Sequence, residues 1–270
     1  MNADGNQKIN SYLYNLYIFK FLTFTRVHLR LKNIFPEILV RAILKSAFIL
    51  HTRPLNETSM LLEAFTASHG RISLLAKGVR LLRSRFRGLL RPFVPLLISW
   101  SGKTELMSLS AAELVGTPPN LMGNTLFSGI YLNELLVRLL PRADAYPEIF
   151  YAYQSTLIAL QNHPKAECNL RLFEKTVLAE LGYGFALDRE TANGLAIQAE
   201  RYYAFTPGHG LNQCTPHDSQ EHIFSGKCLL ALHKGVLEEP DDLLTAKRLN
   251  RAAIATLLGD KPLRSREFFL

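Results

Sequence analysis

The sequence predicts an α+β protein in which a small β-barrel precedes a helical domain. Five short apolar segments, separated by turn signals, lie between Ala42 and Leu114. The pair Pro118-Pro119 then marks a boundary, after which apolar residues recur with a helical period. Because five short strands at this spacing suit a small antiparallel barrel, we expect a barrel followed by an all-α helical domain.

Turn-forming residues separate the predicted strands. The first strand ends at Arg53-Pro54-Leu55-Asn56, and Ser68-His69-Gly70 forms a hairpin turn between the second and third. Pro92 and Pro95 confine the fourth to a sheet edge or a bulge, since proline cannot donate a ladder hydrogen bond. The predicted strands are 42–50, 58–66, 71–78, 89–100 and 104–114.

Proline and glycine stop signals delimit the helices predicted after the boundary. Pro141 ends the first, Pro164 follows the second, Gly182 closes the third and Gly259 ends the last. Residues 183–222 have no sustained period and are predicted as an irregular insert with a short hairpin near 201–205. The predicted helices are 121–140, 145–161, 166–181, 226–237 and 241–258.

Composition limits the class of protein and of partner. Of the 270 residues, 48% are hydrophobic and the net charge is +8, which favours a globular protein with a polyanionic partner. Three widely spaced cysteines without a C-x-x-C pair fit a reduced cytoplasm. The apolar stretch 12–24 is too short to span a bilayer. We therefore expect no integral membrane association and domains at 40–117 and 118–270, after an extension at 1–39 that an early start codon would explain.

A carboxylate-free basic segment gives the clearest functional signal. Several cations on one surface displace the counterions of a nucleic acid, and a phenylalanine among them can stack on an unpaired base. Alternatively the segment is a solvated loop with a core-facing ring. The candidate nucleic-acid-binding residues are Arg71, Lys77, Arg80, Arg83, Arg85, Phe86, Arg87 and Arg91.

A second basic patch lies near the end of the chain. On a helix its first three cations share a face opposite Leu249 and Ile254. The patch is either an ordinary solvated face or a surface that extends the DNA track or meets a protein partner. It comprises Lys247, Arg248, Arg251, Lys261, Arg264 and Arg266.

Catalytic and metal-binding patterns are missing from the sequence. No P-loop, nucleophile elbow, zincin or dinucleotide-binding motif is present, so we expect no catalytic residue, no enzyme activity and no cofactor. Cys214, His217, His222 and Cys228 lie close together, but only the first two have the spacing of a zinc-ligand pair. We therefore predict no metal site.

Several motifs in order resemble the RecO family. The segment Arg53-Pro54-Leu55-Asn56-Glu57-Thr58-Ser59 is similar to the R-P-x-x-E-T-S element near the start of RecO proteins. It is followed by Ala76-Lys77-Gly78, Leu90-Arg91-Pro92-Phe93-Val94-Pro95-Leu96, Tyr131-Leu132-Asn133-Glu134-Leu135-Leu136, Leu181-Gly182-Tyr183-Gly184 and Lys261-Pro262-Leu263-Arg264-Ser265-Arg266. The resemblance covers about residues 41–270 and leaves out the extension.

The resemblance implies an N-terminal OB-fold, a C-terminal helical domain and a role in DNA repair and recombination. It implies binding of single- and double-stranded DNA, strand annealing, and association with RecR and with the acidic tail of the single-stranded DNA-binding protein SSB, so that RecA is loaded at the nucleoid. Arg171 matches the position of a basic residue that assists tail binding in the family. The four-cysteine zinc module of some members is missing.

Two alternatives remain open. One is an RNA-binding OB-fold protein that acts in translation or RNA folding, which would tolerate 2′-hydroxyl groups and be indifferent to SSB. The other is a membrane-associated scaffold that uses the aromatic stretch within 1–39, which deletion of those residues would test.

Overall fold

A closed five-stranded barrel forms the first part of the described chain. The structure is a computed structural model that describes residues 40–161, 166–216 and 222–269, so the predicted extension at 1–39 lies outside the described residues. The strands are arranged in the order β1-β2-β3-β5-β4. They are β1 Val40–Pro54, β2 Met60–Thr66, β3 Gly70–Ala76, β4 Pro95–Gly102 and β5 Leu106–Leu114.

Antiparallel hairpins build most of the barrel, and one parallel pair completes it. β1 pairs with β2 and β2 with β3, and β4 pairs with β5, each antiparallel. β3 and β5 run parallel, with Ser73 opposite Leu106. This parallel pair differs from the wholly antiparallel barrel that we expected. The β2–β3 turn needs Gly70, whose φ is 63° and where a Cβ would lie 1.7 Å from the Asp144 carbonyl oxygen.

Alternating side chains fill the barrel interior. Every second residue of β3 is buried, as expected for a strand with one face on a core. Trp100, Ile98 and Leu74 are among the fully buried side chains of this core. The predicted fourth strand began too early, since residues 89–94 form turns and one isolated bridge, from Pro92 to Ile49, and the strand itself starts at Pro95.

Five α-helices follow the proline boundary in the described residues, as predicted. A 3₁₀-helix at Arg264–Phe269 comes after the last of them. Pro147 and Pro240 occupy the first turns of their helices, where the missing N–H costs nothing. The helices are α1 Asn124–Leu139, α2 Pro147–Leu160, α3 Ala166–Glu180, α4 Gly226–Lys234 and α5 Pro240–Leu258.

A three-stranded antiparallel sheet lies within the segment predicted to be irregular. It has the order β7-β6-β8, so the helical domain is not all-α as expected. The predicted hairpin near 201–205 is part of it, and Gly208-His209-Gly210 lies at its turn. The three central residues of β6 are buried between neighbours, which removes the alternation that identifies a strand from sequence. The strands are β6 Tyr202–Thr206, β7 Gly210–Cys214 and β8 Ile223–Ser225.

The barrel and the helices share one hydrophobic core. Phe48 and Phe65 of the barrel lie in the same buried cluster as α1 and α2. The Phe48 ring packs edge-on against Tyr153 with 5.1 Å between centroids. The Asn133 amide of α1 donates a 2.9 Å hydrogen bond to the Leu50 carbonyl and accepts one of 2.5 Å from the Tyr153 hydroxyl. These contacts fix the barrel against the helical domain.

Candidate nucleic-acid interface

The arginine-rich loop, residues 77–94 between β3 and β4, is a chain of consecutive turns. Backbone hydrogen bonds run from Leu81 N to Gly78 O, from Ser84 N to Leu81 O and from Arg87 N to Ser84 O, at 3.0–3.3 Å. Val79, Phe86 and Leu90 lie in the barrel core. Together with Val94, these side chains fasten the loop along the barrel, and its charged side chains face outward.

Six cations of this loop are exposed. Arg85 and Arg87 donate hydrogen bonds to the backbone carbonyls of Ser110 and Leu82, and Arg80 donates to that of Asn56. No carboxylate of the described residues forms an ion pair with them, so their charges stay available to a polyanion. The six are Lys77, Arg80, Arg83, Arg85, Arg87 and Arg91.

Phe86 has a role different from the expected one. Its residue is only 5% exposed and belongs to the barrel core, while the Arg85 guanidinium lies 4.7 Å from the ring centroid. This burial favours the alternative of a core-facing ring over stacking of Phe86 on a base. Leu81 and Leu82 are the large apolar side chains that the loop exposes instead.

Arg71 also differs from the expected phosphate-binding residue. Its Nη1 donates to the Glu63 carboxylate at 2.8 Å, and its Nε and Nη2 donate to the Leu140 carbonyl at 3.1 and 3.0 Å. Only 12% of the side chain is exposed. Arg71 therefore joins β3 to the end of α1, and its charge is compensated by Glu63.

Arg171 lines a cavity of about 460 Å³ in the helical domain. Its guanidinium forms a 3.1 Å ion pair with the buried carboxylate of Glu174. Glu174 also accepts hydrogen bonds from the Tyr131 hydroxyl at 2.5 Å and the Asn250 amide at 3.0 Å. Burial, the charge of Glu174 and this hydrogen bond raise the pKa of Tyr131. The network holds Arg171 at the cavity in one orientation.

The second basic patch is divided between different surfaces and is not one helix face. Lys247, Arg251 and Arg266 line the Arg171 cavity, and Lys247 pairs with Glu167 at 3.3 Å. Arg248 lies over the Phe224 ring, 5.5 Å from its centroid. Arg264 lines a different groove, beside the barrel, and Lys261 is exposed and offers its backbone carbonyl to Arg138.

Unpartnered donors make the Arg171 cavity suitable for an anion. Within the described residues, Nε of Arg171 and both Nε and Nη2 of Arg266 are buried without a hydrogen-bond acceptor. Buried donors without acceptors are costly, and a carboxylate would satisfy them. The side chains of Leu170 and Leu243 give the same cavity an apolar side.

The cysteine and histidine loop forms no metal cluster in the part of the chain that the structure describes. His217 lies outside the described residues. Cys228 is buried in α4, where burial and a hydrogen bond with Asp242 raise the pKa of its thiol. The absence of a metal site stays a prediction.

Two family models match the chain over almost all of the described residues. The model for the N terminus of recombination protein O matches residues 41–118, and the model for its C terminus matches residues 122–267. The chain belongs to the RecO family. The two matches meet at the linker between the barrel and α1, so the five-stranded barrel is the family's OB-like N-terminal domain.

Curated relatives agree with the RecO assignment. The DNA repair protein RecO of Coxiella burnetii (strain RSA 493 / Nine Mile phase I) is 44% identical over 227 residues, covering 84% of this chain and 97% of the relative. That of Nitrosococcus oceani is 43% identical, covering 84% and 92%. That of Stutzerimonas stutzeri is 45% identical, covering 83% and 92%.

No helix among the described residues is both long enough and apolar enough to cross a membrane.

Proposed function

We propose that the chain is a DNA repair and recombination mediator that binds single- and double-stranded DNA, anneals complementary strands, and works with SSB and RecR to promote RecA loading. The observation that carries the proposal is the arginine-rich loop, whose six exposed cations are fastened to an OB-like barrel without a paired carboxylate among the described residues. In this proposal the protein acts in the cytoplasm at the nucleoid and is not an enzyme.

The proposed mechanism is charge neutralisation without bond chemistry. Each phosphate that pairs with a guanidinium releases condensed counterions, and this release drives binding without regard to base sequence. Two strands held on one cationic surface repel each other less, so complementary bases can pair. The guanidinium groups of Arg80, Arg85 and Arg87 donate hydrogen bonds to backbone carbonyls, which keeps them in place before DNA arrives.

The Arg171 cavity is the proposed site for the SSB tail. A tail with acidic residues and an apolar end needs an apolar pocket with cations at its rim. Leu170 and Leu243 supply the apolar side, and Arg266 and Arg251 supply the cations. Arg171, whose charge Glu174 compensates, supplies a buried N–H donor. The unpartnered nitrogens of Arg171 and Arg266 would donate hydrogen bonds to a carboxylate of the tail.

Annealing of complementary strands coated with SSB tests the proposed function. We expect the protein to accelerate annealing with complete SSB and to do so less with SSB that lacks its acidic tail. Arg251→Ala should weaken tail binding about fivefold, because it removes an exposed rim cation and leaves the buried Arg171–Glu174 pair intact. If the protein accelerates annealing with neither complete nor tail-less SSB, and binds RNA as tightly as DNA, the RNA-binding alternative is favoured.

A further inference from the structure

A groove of about 880 Å³ lies between the barrel and the helical domain, at the end of the arginine-rich loop. Its floor consists of the half-buried apolar side chains of Leu126, Ile130 and Val137, which share one face of α1. The barrel side is formed by residues 50–52 and 92–94. The groove is therefore an apolar strip bounded by both domains.

Close packing gives the groove its shape. Phe93 has a φ of 68°, a backbone conformation that a bulky residue rarely adopts. The Phe93 ring lies against α1 where Gly129 provides space, since a Cβ there would lie 2.9 Å from the ring. Such strain persists only where surrounding contacts hold it, and it is common at binding sites.

The rim of the groove is cationic. Arg91 of the arginine-rich loop, Arg138 in the last turn of α1 and Arg264 of the 3₁₀-helix are all exposed there. Glu134 is the sole carboxylate among the described lining residues. Its oxygens accept hydrogen bonds from the Arg264 amide at 2.9 Å and from the Ser265 amide and hydroxyl at 2.8 and 2.5 Å. The groove thus combines apolar surface with three exposed arginines that form no ion pair with a described residue.

We propose that this groove receives the unpaired bases of a single DNA strand whose phosphates lie on the arginine-rich loop. The proposal rests on the proposed function and adds a site for the bases. Unpaired bases have apolar faces next to anionic phosphates, which matches an apolar floor with a cationic rim. Arg91 belongs to both the loop and the groove, so the two surfaces are continuous.

The distribution of cations favours a nucleic acid over an acidic peptide. The three arginines come from three separate elements around the rim, as repeated phosphates require. A terminal carboxylate instead needs converging buried donors, which the Arg171 cavity has. In a duplex the bases face each other and cannot enter, so the groove should confer a preference for single strands.

A comparison of three ligands with two variants tests this inference. The double variant Ile130→Thr/Val137→Thr removes apolar surface from the floor and changes no charge. Ile158→Thr, at an exposed position of α2, is the matched control. The ligands are a single strand, an abasic single strand of equal length and a duplex, with affinities measured by fluorescence anisotropy at one salt concentration.

We expect the natural protein and the control to bind the normal strand about tenfold more tightly than the abasic strand. The double variant should lose most of this difference and keep its duplex affinity within about twofold. If the double variant does not fold, Phe268→Ser replaces it, because Phe268 lines the groove and is exposed.

An unchanged difference, or an equal loss for all three ligands, would overturn the inference. An acidic peptide is titrated separately against the same variants. If the double variant loses peptide binding while its strand binding is unchanged, the groove is assigned to a peptide and the inference is also overturned. If the natural protein binds none of the three ligands, the proposed function itself has failed, which is a result distinct from a failure of the groove.

Discussion

Phe86 stands between Arg85 and Arg87 in the sequence, and the fold buries its ring while both guanidinium groups stay exposed. Because both neighbours are arginines, we expected the Phe86 ring to contact the bases of a bound nucleic acid. The sequence also allowed a core-facing ring, but it could not decide between the two, because the loop has no period and the accompanying Val79 and Leu90 lie in separate turns. A residue in such a loop is assigned to core or surface only by the tertiary packing.

Phe86→Ala should lower the free energy of unfolding by about 3 kcal/mol, because it leaves a cavity in the barrel core. We expect the DNA affinity of the folded variant to stay within about twofold of the natural value. Denaturant unfolding and anisotropy titrations check the two quantities. A tenfold loss of affinity with unchanged stability would instead restore the role in base stacking.

Glu134 couples stability to pH at the groove. Burial alone would raise the pKa of its carboxyl, but hydrogen bonds from Ser265 and Arg264 outweigh this and lower the pKa below its ordinary 4.5. The ionised carboxylate therefore stabilises the fold above pH 4.5, and this contribution disappears as the pH falls through the lowered value.

Glu134→Gln should accordingly cost about 1 kcal/mol at pH 7, a modest value because the carboxylate is partly exposed. The difference in stability between the natural protein and the variant should shrink as the pH falls below 4.5. Denaturant unfolding at pH 7, 5 and 3 measures it. A difference that stays constant over this range would contradict the assignment.

Among the elements, the strands and helices with regular apolar periods were predicted well. The five barrel strands and five helices occur in the predicted order, with ends that differ by up to four residues, except for the start of β4, which differs by six. Of the sheet of β6, β7 and β8 only a hairpin near 201–205 was predicted, because β6 is buried on both faces and its partners are short. Arg171 was singled out by resemblance, whereas its pairing with Glu174 follows an i,i+3 spacing that the sequence displays.

The arginine-rich loop is the element on which DNA affinity should depend. Arg83→Ala/Arg85→Ala/Arg87→Ala should weaken binding of any sequence and reduce the slope of log affinity against log salt by up to about 3 for duplex DNA. A matched control removes three exposed cations elsewhere, by Arg201→Ala/Lys227→Ala/Lys234→Ala. This control variant should change the slope much less. Equal effects of the two triple variants would mean that only net charge matters.

At the scale of the whole molecule, Arg71 ties the barrel to the helical domain. Its partner Leu140 is 69 residues distant in the sequence, so the contact could not be predicted from local spacing. Arg142 also reaches Glu63, at 3.2 Å, and the backbone N–H of Ala143 donates to the Arg71 carbonyl at 2.8 Å. The junction is therefore held by side-chain and backbone contacts together.

Arg71→Met should destabilise the protein by about 3 kcal/mol, because it leaves the largely buried Glu63 carboxylate with a weaker partner. Adding Glu63→Gln should recover part of this loss, and thermal unfolding of the single and double variants measures the coupling. The salt dependence of DNA binding should not change. A reduced slope would return Arg71 to the phosphate-binding residues.

The shared core has a consequence for dividing the chain. A fragment that ended after the barrel would expose Phe48, Leu50 and Phe65 to water, since α1 and α2 cover them in the complete fold. A contiguous apolar surface of this kind promotes aggregation. The barrel is thus no portable module, and a truncation or gene fusion that keeps it soluble must carry the first two helices as well.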